Sequence, residues 1–465
     1  MKNSAQVQIP KLLAKFLYDP RRALVAAGIL HVVVAVLIFG VGRLGIYSQQ
    51  FNQNGIGYFA LDSYSYQTDI DLLAGTLTHS GPRAWLTAPS EIHSKLYSLS
   101  FALLRPVLGK TILAVEPLNL LYYLAILILT FSLTKRLADQ RAALLAAALV
   151  AVWPSFLLHT TQFLRDPLFI VAILTLVLML TDLLTITYSL RKGLGVAAIG
   201  ALAALTLWLV RSEMWLVVRV IVFVGLALFA IRILRERRLL AGNLAGIVLL
   251  FATTIATTVA LPPAQTISPV PGPPVAPVAP QKGEDVSLWA QIAKRRHGFI
   301  ATGVGQSGST VDPDVEFSGR ADIIKYVPRA VEIGYLAPFP KMWFTRGYNV
   351  QLIGRLVAAA EMVVLYIVEI LAVIALWQKR RQLTVWLLIL SGAACVTALG
   401  LVVVNVGTLY RMRYAFFILL IILAATVVGR FLKLPRPAAD EIGESTGSSR
   451  KAAAAKVAIA GATFS

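Results

Sequence analysis

GIGYFALDSYSYQTDIDLLAG, residues 55–75, begins the first long polar loop of a chain that is otherwise mostly apolar. Asp62 stands among Ser63, Tyr64 and Tyr66, ahead of a run whose apolar residues fall at Tyr66, Ile70, Leu73 and Leu77. That spacing lines up one apolar stripe on a helix. A helix of this kind predicts a segment lying flat on a membrane surface, with Asp62 at its start, level with the lipid headgroups. Two roles fit the aspartate there: a catalytic base, or an N-cap for the helix.

A surface helix needs a membrane, and the composition supplies one. Of 465 residues, 57% are hydrophobic and 14% charged, which places the chain among polytopic membrane proteins. A net charge of +20 would suit nucleic acid in a less apolar chain. Here the basic residues belong in cytoplasmic turns and beside phospholipid phosphates. The single cysteine, Cys395, lies in an apolar run, so an intrachain disulfide and a cysteine metal cluster are both excluded. The five histidines (His31, His79, His93, His159 and His297) show no HxxxH or HxH spacing, which argues against a histidine metal site.

Apolar runs of span length fall near 22–42, 112–134, 142–161, 167–188, 194–210, 213–231, 240–261, 353–377, 383–404 and 413–430. The first is too long for a signal-peptide core and lacks a clear cleavage site, so it reads as a retained helix. Ahead of it, residues 1–21 carry Lys2, Lys11, Lys15 and Arg21 around an amphipathic piece at Ile9–Leu17, a cytoplasmic arm resting on anionic lipid. With the N-terminus inside, the basic turns at Lys135/Arg136/Arg141, Arg191/Lys192, Arg232–Arg238 and Lys379–Arg381 all fall in the cytoplasm, as does Arg430. The expectation is an all-α protein of the plasma (inner) membrane with about ten transmembrane helices and both termini cytoplasmic.

Two outer loops are long. The loop at 43–110 holds the Asp62 helix and a second amphipathic or half-inserted helix, EIHSKLYSLSFALLRPVLG. The loop at 262–351 opens with PPAQTISPVPGPPVAPVAP, an extended polyproline-like strap. SLWAQIAKRRHGFIATG follows, and then ADIIKYVPRAVEIGYLAPFPKMWF, expected to return the chain to the membrane surface with Trp343 and Phe344 in the interface. Residues 22–261 thus form an N-terminal transmembrane module and 352–430 the C-terminal helices, and the Ala/Gly/Ser-rich stretch 431–465 reads as a disordered tail.

In this topology three groups of chemically capable residues converge on the outer face. Asp62 comes first, with Asp69 seven residues on as the reserve base. Next is Leu164-Arg165-Asp166-Pro167, where Asp166 reads as an N-cap ahead of a first-turn proline or as a second acid facing Asp62. The third group is basic: Tyr410-Arg411-Met412-Arg413-Tyr414, Arg211, and His93 with Lys95 in the first loop. Each alone reads as an interfacial anchor. Together, opposite two acids, they would clamp a phosphate, since arginine meets phosphate oxygens bidentately. Deeper in the membrane, Arg219 and Glu361 lie at similar depth and are expected to pair, while Glu369 and Asp182 have no evident partner.

These segments resemble the GT-C superfamily of integral-membrane glycosyltransferases, in particular protein O-mannosyltransferases and lipid A aminoarabinose transferases (glycosyltransferase family 39-like). ALDSYSYQTDIDLLAG is similar to the family's first-loop pattern, and EIHSKLYSLSFALL to its H/K-P-P-L-Y stretch, with Ser94 and Lys95 in place of the prolines. RAALLAAALVAVWPSFLLHTTQFLRDPLF resembles the third span and its acidic turn. GVAAIGALAALTLWLVRSEMWLVV resembles the GLAxLTRPE signature through Arg211 and Glu213, and TLYRMRYAFFILLIIL the C-terminal R-Y motif. The resemblance implies a GT-C type bundle with two interfacial helices in the first outer loop. It implies transfer of a sugar from a polyprenyl-phosphate donor to an acceptor hydroxyl on a lipid, glycan or protein, on the outer (periplasmic) side and with inversion. Asp62 would be the general base. Tyr66, His93, Lys95, Arg165, Arg211, Glu213, Tyr410, Arg411 and Arg413 would line the substrate site. No metal is required, although Asp62 with Asp166 could hold one Mg²⁺ or Mn²⁺. Two other readings compete. A polysaccharide polymerase or ligase would also use outer arginines and lipid-linked glycans, without an obligatory Asp62. A lipid-linked-sugar transporter or flippase is disfavoured by the lack of inverted repeats.

Overall fold

The computed structural model describes residues 19–260, 287–303, 309–347 and 350–431. The amphipathic piece at Ile9–Leu17, the Pro-rich run and the tail from residue 432 lie outside them. The described residues form helices and no strand. In chain order these are α1 (Pro20–Arg43), α2 (Asp62–His79), α3 (Gly81–Thr87), α4 (Ile92–Leu108), α5 (Glu116–Leu137), α6 (Gln140–Ala151), α7 (Pro154–Thr160), α8 (Asp166–Thr185), α9 (Leu190–Val210) and α10 (Trp215–Glu236). Then come α11 (Ala241–Ala260), α12 (Leu288–Gly303), α13 (Arg320–Leu336), α14 (Gln351–Lys379), α15 (Leu383–Val402), α16 (Val406–Met412) and α17 (Tyr414–Val428). Nine of them, α1, α5, α8 to α11, α14, α15 and α17 (the last counted with the turn that continues it to Phe431), are long and apolar enough to cross a membrane. The chain is a multi-pass α-helical membrane protein.

The run at 142–161, expected as one straight span, is the bent pair α6 and α7, which turn by 66° on one another. Pro154 causes the break. It has no N–H to donate, and its ring would clash with the Val150 carbonyl of a continuous helix, so Trp153 before it takes an extended conformation. α1 starts where local chemistry says it should: Asp19 caps it by accepting from Arg21 N at 3.0 Å, and Pro20 fills the first turn.

The core sits around α8 and α17, whose most apolar stretches are 78% and 83% buried, against 22% for α1. Val25, Ile29, Val33 and Val36 on α1 point outward, as a lipid-facing surface requires. α9 and α11 cross with their backbones touching at small residues, the Gly242-x-x-x-Gly246 pattern included. A Cβ on Gly193 would stand 2.0 Å from Gly242 O, whereas one on Gly195 meets nothing. Gly193→Ala is therefore expected to push the two helices apart at an overpacking cost of about 1–3 kcal/mol. Thermal unfolding in detergent should show a lowered midpoint for Gly193→Ala and none for Gly195→Ala.

The basic turns gather at one end of the bundle. Arg235 Nη1 donates to Arg381 O at 3.3 Å and Lys379 Nζ to Leu137 O at 2.6 Å. Arg136 grips Asp182 through two bonds of 2.6 and 3.0 Å, the partner that the sequence did not disclose. The expected Arg219–Glu361 pair does not form. Glu361 instead accepts from Ser155 N (2.7 Å) and Ser155 Oγ (2.6 Å) at the start of α7 and from the Tyr410 hydroxyl. A carboxylate at that helix start satisfies an otherwise orphaned N–H.

At the opposite end the first loop carries three helices, since the short α3 joins the two expected. The stripe on α2 is spent on protein: Ile70, Leu73 and Ala74 are buried, and α2 packs on α4. The later loop does not merely rest on the surface. α13 runs along α15, and its last carbonyls are met from inside the bundle. Arg413 Nη1 donates to Gly334 O at 2.9 Å and Tyr335 O at 3.4 Å, and Tyr366, midway along α14, donates to Leu336 O at 2.8 Å. A buried arginine at a helix C-terminus answers both the orphan carbonyls and the helix dipole. Of the two expected interfacial aromatics, Phe344 is exposed, while Trp343 donates to Pro338 O and stacks on Tyr366.

Candidate functional site

The turn between α7 and α8 is the frame of the site. Gln162 reaches from it into the loop that leads to Asp62, accepting from Gly57 N at 2.9 Å and donating to Gly55 O at 3.3 Å. Gly55 has φ +82°, a left-handed conformation open to glycine. Tyr97 Oη lies 2.6 Å from Asn119 Oδ1 and 3.0 Å from Leu164 O, and Asn119 Nδ2 donates to Gln162 O at 3.3 Å. These bonds join the first loop, α4, α5 and the start of α8. Sequence reading passes over Asn119 and Gln162 and meets Tyr97 only as the Tyr of the H/K-P-P-L-Y stretch, because spacing along the chain does not show a bond to a distant carbonyl.

On this frame Asp62 and Asp166 each take the first position of a helix, α2 and α8. Neither is an N-cap. Leu61 and Arg165 hold those positions, and no side chain caps either helix. Both carboxylates turn to arginines instead. Asp166 Oδ1 accepts from Arg211 Nη2 at 2.6 Å, with both side chains only 6% exposed. Asp62 Oδ2 accepts from Arg411 Nη2 at 2.5 Å, and Arg411 Nη1 lies 3.9 Å from Asp166 Oδ2. One guanidinium therefore stands between the two aspartates. A second network adjoins it, with Arg165 donating to Glu213 Oε1 at 2.9 Å and to Glu91 Oε2 and Val210 O at 3.3 Å each. Glu91 lies 3.1 Å from His93 Nδ1, and the His93 ring meets Tyr66 edge-on at 4.5 Å.

Asp62, Arg165, Arg211, Glu213 and Arg411 line a cavity of about 440 Å³. Its remaining walls are mostly apolar, including Val217 of α10, Ile292 and Phe299 of α12, and Leu399 and Val402 of α15. Asp166 stands behind the two arginines, and Tyr66 and His93 stand beside Arg165's partners without lining the cavity. The other expected site residues are elsewhere. Asp69 accepts from Ser90 Oγ at 2.6 Å, Lys95 donates to Leu86 O at 2.7 Å, Tyr410 gives its hydroxyl to Glu361, and Arg413 caps α13. Arg295 of α12 also lines the cavity, a residue the sequence did not single out.

The Arg411 guanidinium, working against burial, holds the Asp62 carboxyl below the usual aspartate range. Burial opposes charge on Glu91, but His93 and Arg165 outweigh it and keep that carboxyl low as well. Burial pushes His93 down, leaving it neutral near pH 7, and pushes the Tyr66 phenol up. The place where Mg²⁺ or Mn²⁺ would bridge Asp62 and Asp166 is taken by Arg411. Among the described residues no group of three His, Cys, Asp or Glu side chains is placed to hold a metal ion.

The depressed Asp62 sets a pH profile. A carboxylate with a lowered pKa stays ionised as pH falls and is lost only below its ordinary value, about 3.9. If the step needs ionised Asp62, kcat/KM, which reports the free protein, should hold steady from pH 7 down to about pH 4. An acid limb centred near pH 6 in kcat/KM would assign the proton transfer to another group. Compared with known proteins, the chain matches no family model, and neither a curated protein nor a solved structure shows significant similarity to it.

Proposed function

We propose that the protein is a GT-C type membrane glycosyltransferase that moves a sugar from a polyprenyl-phosphate donor to an acceptor hydroxyl on the outer side. The observation that carries this reading is the make-up of the cavity. A half-exposed aspartate, Glu213 and four arginines share it with apolar walls from α10, α12 and α15, a lining suited to a sugar phosphate on a lipid chain. In the reaction the acceptor oxygen attacks the anomeric carbon as the bond from that carbon to the phosphate oxygen breaks. Asp62 takes the hydroxyl proton as general base, and Arg211 and Arg411, with Arg165 alongside, take up the charge on the departing polyprenyl phosphate.

Arg411 has a double task in this scheme. Bound to Asp62 it makes that carboxylate a weak base; drawn to the donor phosphate it releases the carboxylate, whose basicity then rises. Donor binding would thereby arm the base. The reading is tested with purified protein in nanodiscs given radiolabelled polyprenyl-phosphate sugars. Sugar transfer, or slow donor hydrolysis without an acceptor, is the expected result. Donor binding with no bond broken would favour a transporter of lipid-linked sugars instead.

A further inference from the structure

We propose that α12, a helix of the later outer loop, is a wall of the substrate cavity, and that Arg295 on it contacts the ligand's anionic group jointly with Arg165. The proposal deepens the reading of the site as one for a lipid-linked phosphate and rests on it for the ligand's class.

Three observations carry it. First, α12 contributes both kinds of lining: Arg295 beside Leu288, Ile292 and Phe299. Second, Glu213 brings two arginines together. Its carboxylate holds Arg165 Nη2 at 2.9 Å, and its main-chain oxygen accepts from Arg295 Nη1. Among the described residues Arg295 has no carboxylate within ion-pair distance, unlike Arg165, Arg211 or Arg411; Glu213, whose carboxylate is held by Arg165, acts on its charge from further off. Third, the helix is held firmly from its other side. Arg296, 1% exposed, donates to Val315 O at 2.6 Å, Leu401 O at 2.9 Å and Asp312 O at 2.7 Å, and packs on Phe317 and Tyr326. Adjacent arginines thus divide the work: Arg296 fixes α12 to the loop and α15, and Arg295 is presented to the cavity. Burial works against the charge on Arg295, and a phosphate brought beside it would relieve that cost.

The test uses the full chain in nanodiscs and two probes that differ only in the head group, geranylgeranyl phosphate and geranylgeraniol, with binding followed by tryptophan fluorescence. The quantity read is the ratio of the two dissociation constants, which does not depend on how much of a variant is folded. Wild type should prefer the phosphate. Arg295→Gln should shrink that preference by about 10- to 100-fold, as loss of a charge-assisted bond does, and Arg295→Lys should recover part of it. Phe299→Ser should weaken both probes alike. An unchanged preference in Arg295→Gln, with wild type discriminating, would overturn the role of Arg295 and leave the lipid-phosphate reading standing. No preference in wild type would overturn both.

Discussion

Asp62→Asn is expected to lower sugar transfer roughly 10²–10⁴-fold, the contribution of a positioned general base, while the protein stays folded. The substitution keeps the size of the side chain and an oxygen that still accepts from Arg411, so the 2.5 Å contact has a neutral replacement. Only the proton-accepting charge is lost. Because the Asp62 side chain is half exposed, the Arg411 left behind can recruit water, and folding should suffer little. The comparison is turnover of radiolabelled polyprenyl-phosphate sugar by wild type and variant in the same nanodiscs. Near-normal turnover would sink the assignment of Asp62. Glu213, which lines the cavity, would then be the next acid to test, since Asp69 is turned to Ser90 and Asp166 stands behind the arginines.

Asp166→Ala should act on stability instead. Asp166 and Arg211 are both 6% exposed and meet at 2.6 Å. Removing one partner of such a pair leaves the other charge largely buried without its counter-ion, a loss of about 3–5 kcal/mol. Replacing both together, as Asp166→Ala with Arg211→Met, removes the stranded charge and should return part of the loss. Arg411, 3.9 Å from Asp166, would keep Asp62 as its partner in either variant. Thermal unfolding of the three proteins in one detergent decides the matter. A double variant as unstable as Asp166→Ala would show that the pair is not the source of the effect.

Much of the architecture was legible because the physics that makes it is local. A run of span length without charge must be buried in lipid or protein, and nine of the ten expected runs are single helices. The tenth bends at Pro154, a residue plainly visible in the sequence, yet only its setting after Trp153 shows how sharply. Long-range pairing was the hard part. Asp62 and Asp166 both read locally as helix caps, and both turn away to arginines on distant helices, because a guanidinium outcompetes a backbone N–H for a carboxylate. Arg411 and Arg413 look equivalent in one motif. Two residues apart on a helical turn they face different ways, one into the cavity and the other onto the end of α13. An alanine scan would find both indispensable, for unrelated reasons. Arg295 was missed because SLWAQIAKRRHGFIATG has three neighbouring cations, and nothing in their order says which one faces a cavity.

The contact between Asp62 and Arg411 spans 349 residues of chain, and this sets a timetable for synthesis. At about 5–20 residues per second, the ribosome needs roughly 20–70 s to go from the first residue of the pair to the second. Through that interval the spans between the two residues are made one after another, and Asp62 waits without its guanidinium. On the proposed function, the half-made chain lacks one arginine of its phosphate site until α16 has been made. On that reading, a chain stalled before residue 411 carries the base without the cation that tunes it.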